Sequence, residues 1–372
     1  MIEIFGPTYR YGGEILTKPE IIYVSDHHYD EDQQCFHVKT LLENSTCDPR
    51  KHLVVFDHMN HEDQLSEYNT LYLPILLSAE CKEFTAQGIV PDWSRKKFNF
   101  NFMINKPRRN REFLLLLIEH FELKNYCYTL CWQDVEFSRN VGNLLRHTNN
   151  PHYRKIILET KINIPSHYFS MGHERLLSQG LQYGSTKNVE NYIGLLKQNI
   201  FEPSCVSLIT EPSFFERETL KTEKTIMAMY GGTLPIWVGG WGIPQSLRDL
   251  GFDVFDDIID HSYERMSDPY DRAYYAVEKN LDLLRDFDRA KNFISQNHER
   301  FKHNLGLVEQ NVFFKHMIAK IKQFDAREQR YLSMIAEGFR FRCLADYHLL
   351  GELIGDKRNE NHDPDETRQR WS

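Results

Sequence analysis

The sequence predicts an α/β fold in two domains, each a parallel sheet flanked by helices, facing each other across a cleft. Three observations predict it. Short apolar runs alternate with amphipathic stretches along most of the chain, the order that strand, helix, strand units require. At 372 residues the chain is too long for one ordinary core and suits two. Its final third changes character, with apolar residues recurring at helical spacing.

The expected strands are Ile21 to Val24, Leu53 to Phe56, Phe98 to Ile104, Tyr126 to Cys131, Val206 to Ile209 and Leu234 to Val238. Between Trp132 and Ser204 the pattern weakens, with loop-forming stretches around Asn149 and Gly180 and a helix-like segment from Lys187 to Ile200. The domain junction is placed there, near Ile164, giving units 1–164 and 165–325. Tyr274, Val277, Leu281 and Leu284, with Phe287 continuing the face, predict a long closing helix. A helical segment and polar tail occupy 326–372, frayed from about Asp356.

Composition excludes several classes. With 41% hydrophobic and 26% charged residues the chain is neither disordered nor fibrous. A formal charge of −8 repels a polyanion and makes nucleic acid a poor default partner, although Lys96, Lys97, Arg108, Arg109 and Arg111 would suit a local basic groove. Seven scattered cysteines, with Cys127 and Cys131 the one close pair, do not make a disulfide framework and fit a reducing, cytoplasmic compartment. No apolar run approaches the ~20 residues of a membrane span, and the longest is Phe113 to Ile118.

The chemistry is concentrated in VSLITEPSFFERETLKTEKTIMAMYGGTLPIWVGG, from Val206. It reads as one βαβ unit: a buried strand, a polar aromatic loop, a short helix, a Gly-Gly stop and a second strand. At ~100° per residue Ile226, Met229 and Tyr230 share a face and Lys224 falls nearly opposite, so Lys224 is expected in the first turn, pointing away from the core. A helix amino terminus attracts phosphate through its free N–H groups and dipole, and an adjacent ammonium adds charge. Glu223 offers two acceptor oxygens to a ribose diol. An exposed helical turn carries the same residue types without any ligand.

This segment resembles the donor-binding motif of the α1,3-fucosyltransferase family and of related fucosyltransferase-like and exostosin-like proteins. Glu211 matches the acidic residue after the strand, Thr222, Glu223 and Lys224 match the Thr-Glu-Lys triplet, and LPIWVGG follows at the expected distance. Pro212 stands where the family has Asn, a departure that bears on the donor sugar. The resemblance implies a GT-B-type fold of two Rossmann-like domains, an acceptor-side one first and the nucleotide-sugar-binding one second. It implies that Lys224 lies at the donor pyrophosphate and Glu223 at the ribose, with Thr222 and Thr225 beside them in the donor site. Leu220 stands near the family's stacking Tyr, so Phe214 or Phe215 supplies the stacking face.

Two further stretches resemble the same group. GFDVFDDIIDHSYERMSDPYDR has its Gly-Phe, acidic cluster, Ser-Tyr and later Arg; Asp256, Asp257 and Asp260 there also suit a solvated turn before a helix beginning near Asp268. In the first domain FNFNFMI runs into NKPRRNREFLLLLIEHF. Arg108, Arg109 and Arg111 open that helix at the end unfavourable for cations, a conflict that a bound phosphate resolves. A solvated basic turn is the alternative.

The implied reaction is an inverting transfer of a sugar, fucose from a GDP-linked donor being the family's case, to a glycan or other hydroxyl acceptor. It needs no metal and no cofactor beyond the nucleotide-sugar substrate, because no Asp-x-Asp follows an apolar strand. For the general base, LVVF ends at Asp57, and strand ends facing a cleft are where α/β proteins place functional groups. His58, His61 and Glu62 lack the HExxH arrangement, and Asp26 with His27 and His28 offers a competing base. Transfer to a modified base in DNA, and a non-catalytic sugar-nucleotide or glycan binder, are the alternative functions. Trp237 and Trp241 suit sugar stacking as well as core packing, and packing is the more common use.

Overall fold

The computed structural model describes residues 3–5, 21–24, 53–56, 65–86, 88, 90–104, 109–130, 141–161, 168–170, 200–211 and 223–323. Two parallel sheets organise them. The first runs in sequential order: β1 (Glu3–Phe5), β2 (Ile21–Val24), β3 (Leu53–Phe56) and β4 (Asn69–Tyr72). Ile21 lies opposite Leu53, and Leu53 opposite Asn69.

The second sheet comprises β5 (Phe98–Ile104), β6 (Tyr126–Leu130), β7 (Tyr168–Ser170), β8 (Ser204–Ile209) and β9 (Leu234–Trp237), in the order β7-β6-β5-β8-β9. All pairs are parallel, with Phe100 opposite both Tyr126 and Val206, and Val206 opposite Leu234. The chain enters at β5, builds outward through β6 to β7, then returns to the other side of β5 to lay down β8 and β9. The connections therefore change direction between β5 and β8. In a doubly wound sheet a crevice opens at that point, outside the carboxyl ends of the strands.

The expected boundary near residue 164 falls inside this sheet: β5 and β6 precede it, yet β5 pairs with β8. The weak pattern that suggested a junction contains β7 and two helices, α3 (Val141–Arg146) and α4 (Pro151–Glu159). Local periodicity does not report pairing between segments about a hundred residues apart. The segment from 326 onward lies outside the described residues.

Helices cover both faces of the second sheet, which is why β8 is buried along its whole length. On one side Phe100, Phe102, Val206, Leu208 and Ile236 pack with α2 (Arg109–His120), α4, α7 (Pro269–Glu278), α8 (Leu281–Arg285) and α9 (Phe287–Gln296). On the other, Met103, Ile209 and Trp237 pack with α1 (Ile75–Ala86), α5 (Glu223–Gly231), α6 (Ile243–Asp249) and α10 (His298–Glu309). The last described helix, α11 (Val312–Gln323), returns to α1, the helix that follows β4. At that return Asn311 Nδ2 donates to Ser78 O at 2.9 Å, and Lys320 Nζ lies over the Tyr72 ring.

The single long helix expected around Tyr274 to Phe287 is instead three helices, α7 to α9. The first break is at Asn280, whose buried amide donates to Asp260 O and Ala276 O and accepts from Asp260 N. The second is at Asp286, which caps α9 by accepting from Arg289 N. Apolar spacing carried across both breaks because all three helices face the same core.

Candidate active site

The carboxyl ends of β5, β8 and β9 meet at the switch point, and each delivers part of the predicted constellation. β5 leads to the first turn of α2, where Arg109, Asn110 and Arg111 are all buried. β8 leads to Glu211, with no exposed surface, and then to Glu223, Lys224 and Thr225 in the first turn of α5. β9 leads to the turn Val238-Gly239-Gly240.

Asn110 holds these ends together. Its amide donates to Glu211 O at 2.7 Å and to Val238 O at 3.3 Å, while its Oδ1 accepts from Arg111 N. One side chain from α2 thus bridges the ends of two strands. A second network fixes α5: Trp237 Nε1 donates to Thr225 Oγ1 at 3.1 Å, and Thr225 Oγ1 donates to Glu211 Oε1 at 3.1 Å. Glu211, predicted as a donor-binding residue, has its carboxylate in this network.

Lys224 departs from expectation. It sits in the first turn but is buried, its side chain 4% exposed, with Nζ 3.3 Å from Glu223 Oε1. The spacing implied a single core face, whereas every residue of α5 from Lys224 to Gly231 is buried. Glu223 remains 28% exposed and is the accessible member of the pair. Burial raises the Glu223 carboxyl, but Lys224, its own backbone N–H and Arg111 outweigh this and hold it below the usual carboxylate range. The site therefore holds an ionised carboxylate beside a buried ammonium and within reach of the charge of the buried Arg111, at a helix amino terminus. Such a group stabilises phosphate.

The remaining predicted residues Asp57, Phe214 and Thr222 lie outside the described residues, as do Arg108, Phe215 and Leu220. Asp256 and Asp257 lie exposed on a turn, as the simpler expectation had it, but they cap no helix: Asp256 pairs with Arg248, and Asp257 shares Arg300 with Asp253. Asp268 does cap α7, accepting from Tyr270 N and Asp271 N. Among the described residues no helix is long and apolar enough to cross a membrane, and no group of three or more His, Cys, Asp or Glu could hold a metal ion.

Sequence reasoning missed the supports beneath the β9 turn. Arg272, fully buried, donates from Nε to Gly239 O at 3.0 Å and from Nη1 to Met266 O at 2.7 Å. Tyr263 Oη takes the Trp237 N–H at 3.2 Å, on the side of β9 away from β8, and faces His261 Nδ1. His261 Nε2 lies 2.9 Å from Val254 O, so Nε2 carries the proton and Nδ1 accepts from Tyr263. Glu264 Oε2 accepts from Gly242 N at the turn before α6, while its buried Oε1 takes no hydrogen bond. The only signal for these roles was the Ser-Tyr and later Arg of the HSYERMSDPYDR stretch, which named residues without telling what they hold.

Burial raises Glu264 to about 7, against the opposing pull of Gly242 N and Arg272. Its folded value lies above the unfolded one, so the folded state binds more protons between about pH 4.5 and 7. The stabilisation is full below that window and is lost as pH rises through it. Glu264→Gln, neutral throughout, is expected to match wild type near pH 5 and to unfold at higher urea concentration near pH 8. Urea titrations at the two pH values check this; equal midpoints at pH 8 would refute it.

No family model matches the chain, and neither does any curated protein. Among solved structures, the chain is similar to the DNA-modifying enzyme beta-glucosyltransferase, studied with and without uridine diphosphoglucose. The TM-score is 0.38 at 13% identity, over 80% of this chain and 74% of that one. A point mutant of T4 phage BGT in complex with UDP-glucose gives 0.35 at 12% identity, over 80% and 73%.

Proposed function

We propose that the chain is an inverting glycosyltransferase that binds a nucleotide-sugar donor at the β5/β8 switch point. The observation that carries this reading is the α5 first turn, where Glu223 pairs with the buried Lys224 and feels the charge of Arg111, buried in the first turn of α2; Arg109, buried in that same turn of α2, is taken as the third cation. Three cations and a helix amino terminus suit a diphosphate, and the partly exposed carboxylate suits a ribose diol beside it. In this reading the two sheets belong to two Rossmann-like units facing a cleft.

In the reaction the acceptor hydroxyl oxygen attacks the anomeric carbon as the bond to the diphosphate oxygen breaks. The nucleoside diphosphate leaves onto Lys224 and the arginines, with no metal ion required, and the hydroxyl proton passes to a base, for which Asp57 is proposed. The resemblance of the Thr-Glu-Lys unit supports a GDP-linked donor such as GDP-fucose, and the net charge of −8 favours a glycan or other neutral hydroxyl acceptor over DNA.

The test is a thermal-shift panel of GDP, UDP, ADP and CDP with their sugar conjugates, followed by donor hydrolysis. One nucleotide series is expected to stabilise the protein, by about 2.7 kcal/mol at a hundred times its Kd. No shift with any of them would overturn the reading, whereas a shift without hydrolysis or transfer would leave a sugar-nucleotide binder. Transfer to DNA and not to glycans would reverse the acceptor assignment.

A further inference from the structure

A cavity of about 520 Å³ lies at the opposite end of the second sheet, near the amino ends of β5 and β8. There Lys97 N and Phe98 N both donate to Pro203 O. Pro91, Trp93, Lys96, Lys291, Ile294 and His298 line it. No step of the proposed transfer uses it. We propose that this cavity binds a small planar monoanion, an aromatic carboxylate, with its ring against Trp93 and its carboxylate on Lys96 and Lys291.

The aromatic wall is rigid and already formed. Trp93 Nε1 donates to Tyr230 O at 3.0 Å, and its ring packs against His298 and Phe301 with centroids 5.8 Å away in each case. The ring also lies so close to Gly232 that a Cβ there would meet Trp93 Cδ1 at 2.4 Å, and Gly232 has φ +57°. This is the Gly-Gly stop of the motif segment, and its lack of side chains lets the indole dock on the end of α5. Pockets that bind small molecules combine such apolar walls with a few fixed polar groups.

The fixed polar group is Lys96. Its side chain is buried, and Nζ donates to Ser204 O at 2.7 Å and to Gly231 O at 2.8 Å. An ammonium has three donors. The third has no acceptor among the described residues, and Lys96 borders the cavity. With the Lys96 amine protonated, the Lys, Arg, Asp and Glu charges around the cavity are Lys96, Lys291 and Arg95 against Asp92 and Glu202, one positive charge in excess. Both acids are engaged: Asp92 by Ser94 and Arg95, and Glu202 by the Asp92 N–H. One anionic charge completes the balance, which selects a monocarboxylate over a dianion.

Burial lowers the Lys96 amine to about 7, with Cys205 and Glu202 opposing. A carboxylate bound beside it favours the charged amine, so binding takes up a proton and affinity falls as pH rises above about 7. Lys291, His298, Asp92, Glu202 and Cys205 are the other titratable groups facing the site. Burial pushes the thiol of Cys205 up to about 11.

The test is calorimetry on the full chain with indole-3-carboxylate and its neutral match, indole-3-carboxamide, with the Trp93 indole signal followed by NMR. The carboxylate is expected to bind at least tenfold more tightly than the amide, to shift the Trp93 resonance, and to weaken several-fold between pH 6.5 and 8.5. Lys291→Met is expected to weaken it. Ser295→Trp, which fills the mouth from an exposed position on α9, is expected to abolish it. Lys96→Met risks the fold, because Lys96 also holds the ends of β8 and α5, so the two surface variants carry the test. No binding of the carboxylate at millimolar concentration, equal affinity for the amide, or binding that survives Ser295→Trp would overturn the proposal.

Discussion

Lys224→Ala is expected to weaken nucleoside diphosphate binding by on the order of 100-fold, about 3 kcal/mol. The size follows from burial. An exposed lysine at a phosphate contributes little because water screens it, but Lys224 has a side chain only 4% exposed, with Nζ 3.3 Å from Glu223 Oε1. Removing it takes away the central cation and also leaves Glu223 ionised with less compensation, so a carboxylate then faces the incoming diphosphate. The two effects have the same sign. Inorganic pyrophosphate separates the roles within the pair: its affinity is expected to fall in Lys224→Ala and to change little or rise in Glu223→Gln, because only the ribose contact is lost there. Calorimetry with GDP, UDP and pyrophosphate on both variants checks this, with circular dichroism to confirm the fold. If Lys224→Ala bound the diphosphate as wild type does, the donor site would not lie at α5.

The sequence foretold the central strands because parallel strands covered on both faces appear as short apolar runs, and β2, β3, β5, β6, β8 and β9 all do. β1 and β7 are too short to stand out, at three residues each. The site was legible as residue types at a helix start: Glu223 and Lys224, and the unfavourable arginines of α2. What could not be read was burial. Whether Lys224 faces water is set by tertiary packing around α5, which is buried from Lys224 to Gly231, and local spacing does not report that. Asn110 shows the same limit from the other side. Nothing in PRRNRE marks it, because its role is set by Glu211 and Val238, 101 and 128 residues away.

Arg272 is where that limit has the largest structural consequence, and Arg272→Met is expected to destabilise the fold by about 3 kcal/mol. Methionine fills much of the space but offers nothing to the carbonyls of Gly239 and Met266, which Arg272 holds from inside the core. Buried carbonyls left without donors account for much of the loss. The rest comes from Glu264, a mostly buried carboxyl on which Arg272 exerts a stabilising charge and whose Oε1 has no hydrogen bond of its own. A double-mutant cycle separates these parts. If charge coupling matters, adding Glu264→Gln to Arg272→Met at pH 8 restores more stability than Glu264→Gln adds to wild type, and at pH 5, where Glu264 is protonated, the excess disappears. Strict additivity at both pH values would mean that Arg272 does not act through its charge on Glu264. Either way the guanidinium lies beneath the Gly239-Gly240 turn that bounds the switch-point crevice, so the variant is also expected to weaken nucleotide binding at temperatures where it remains folded.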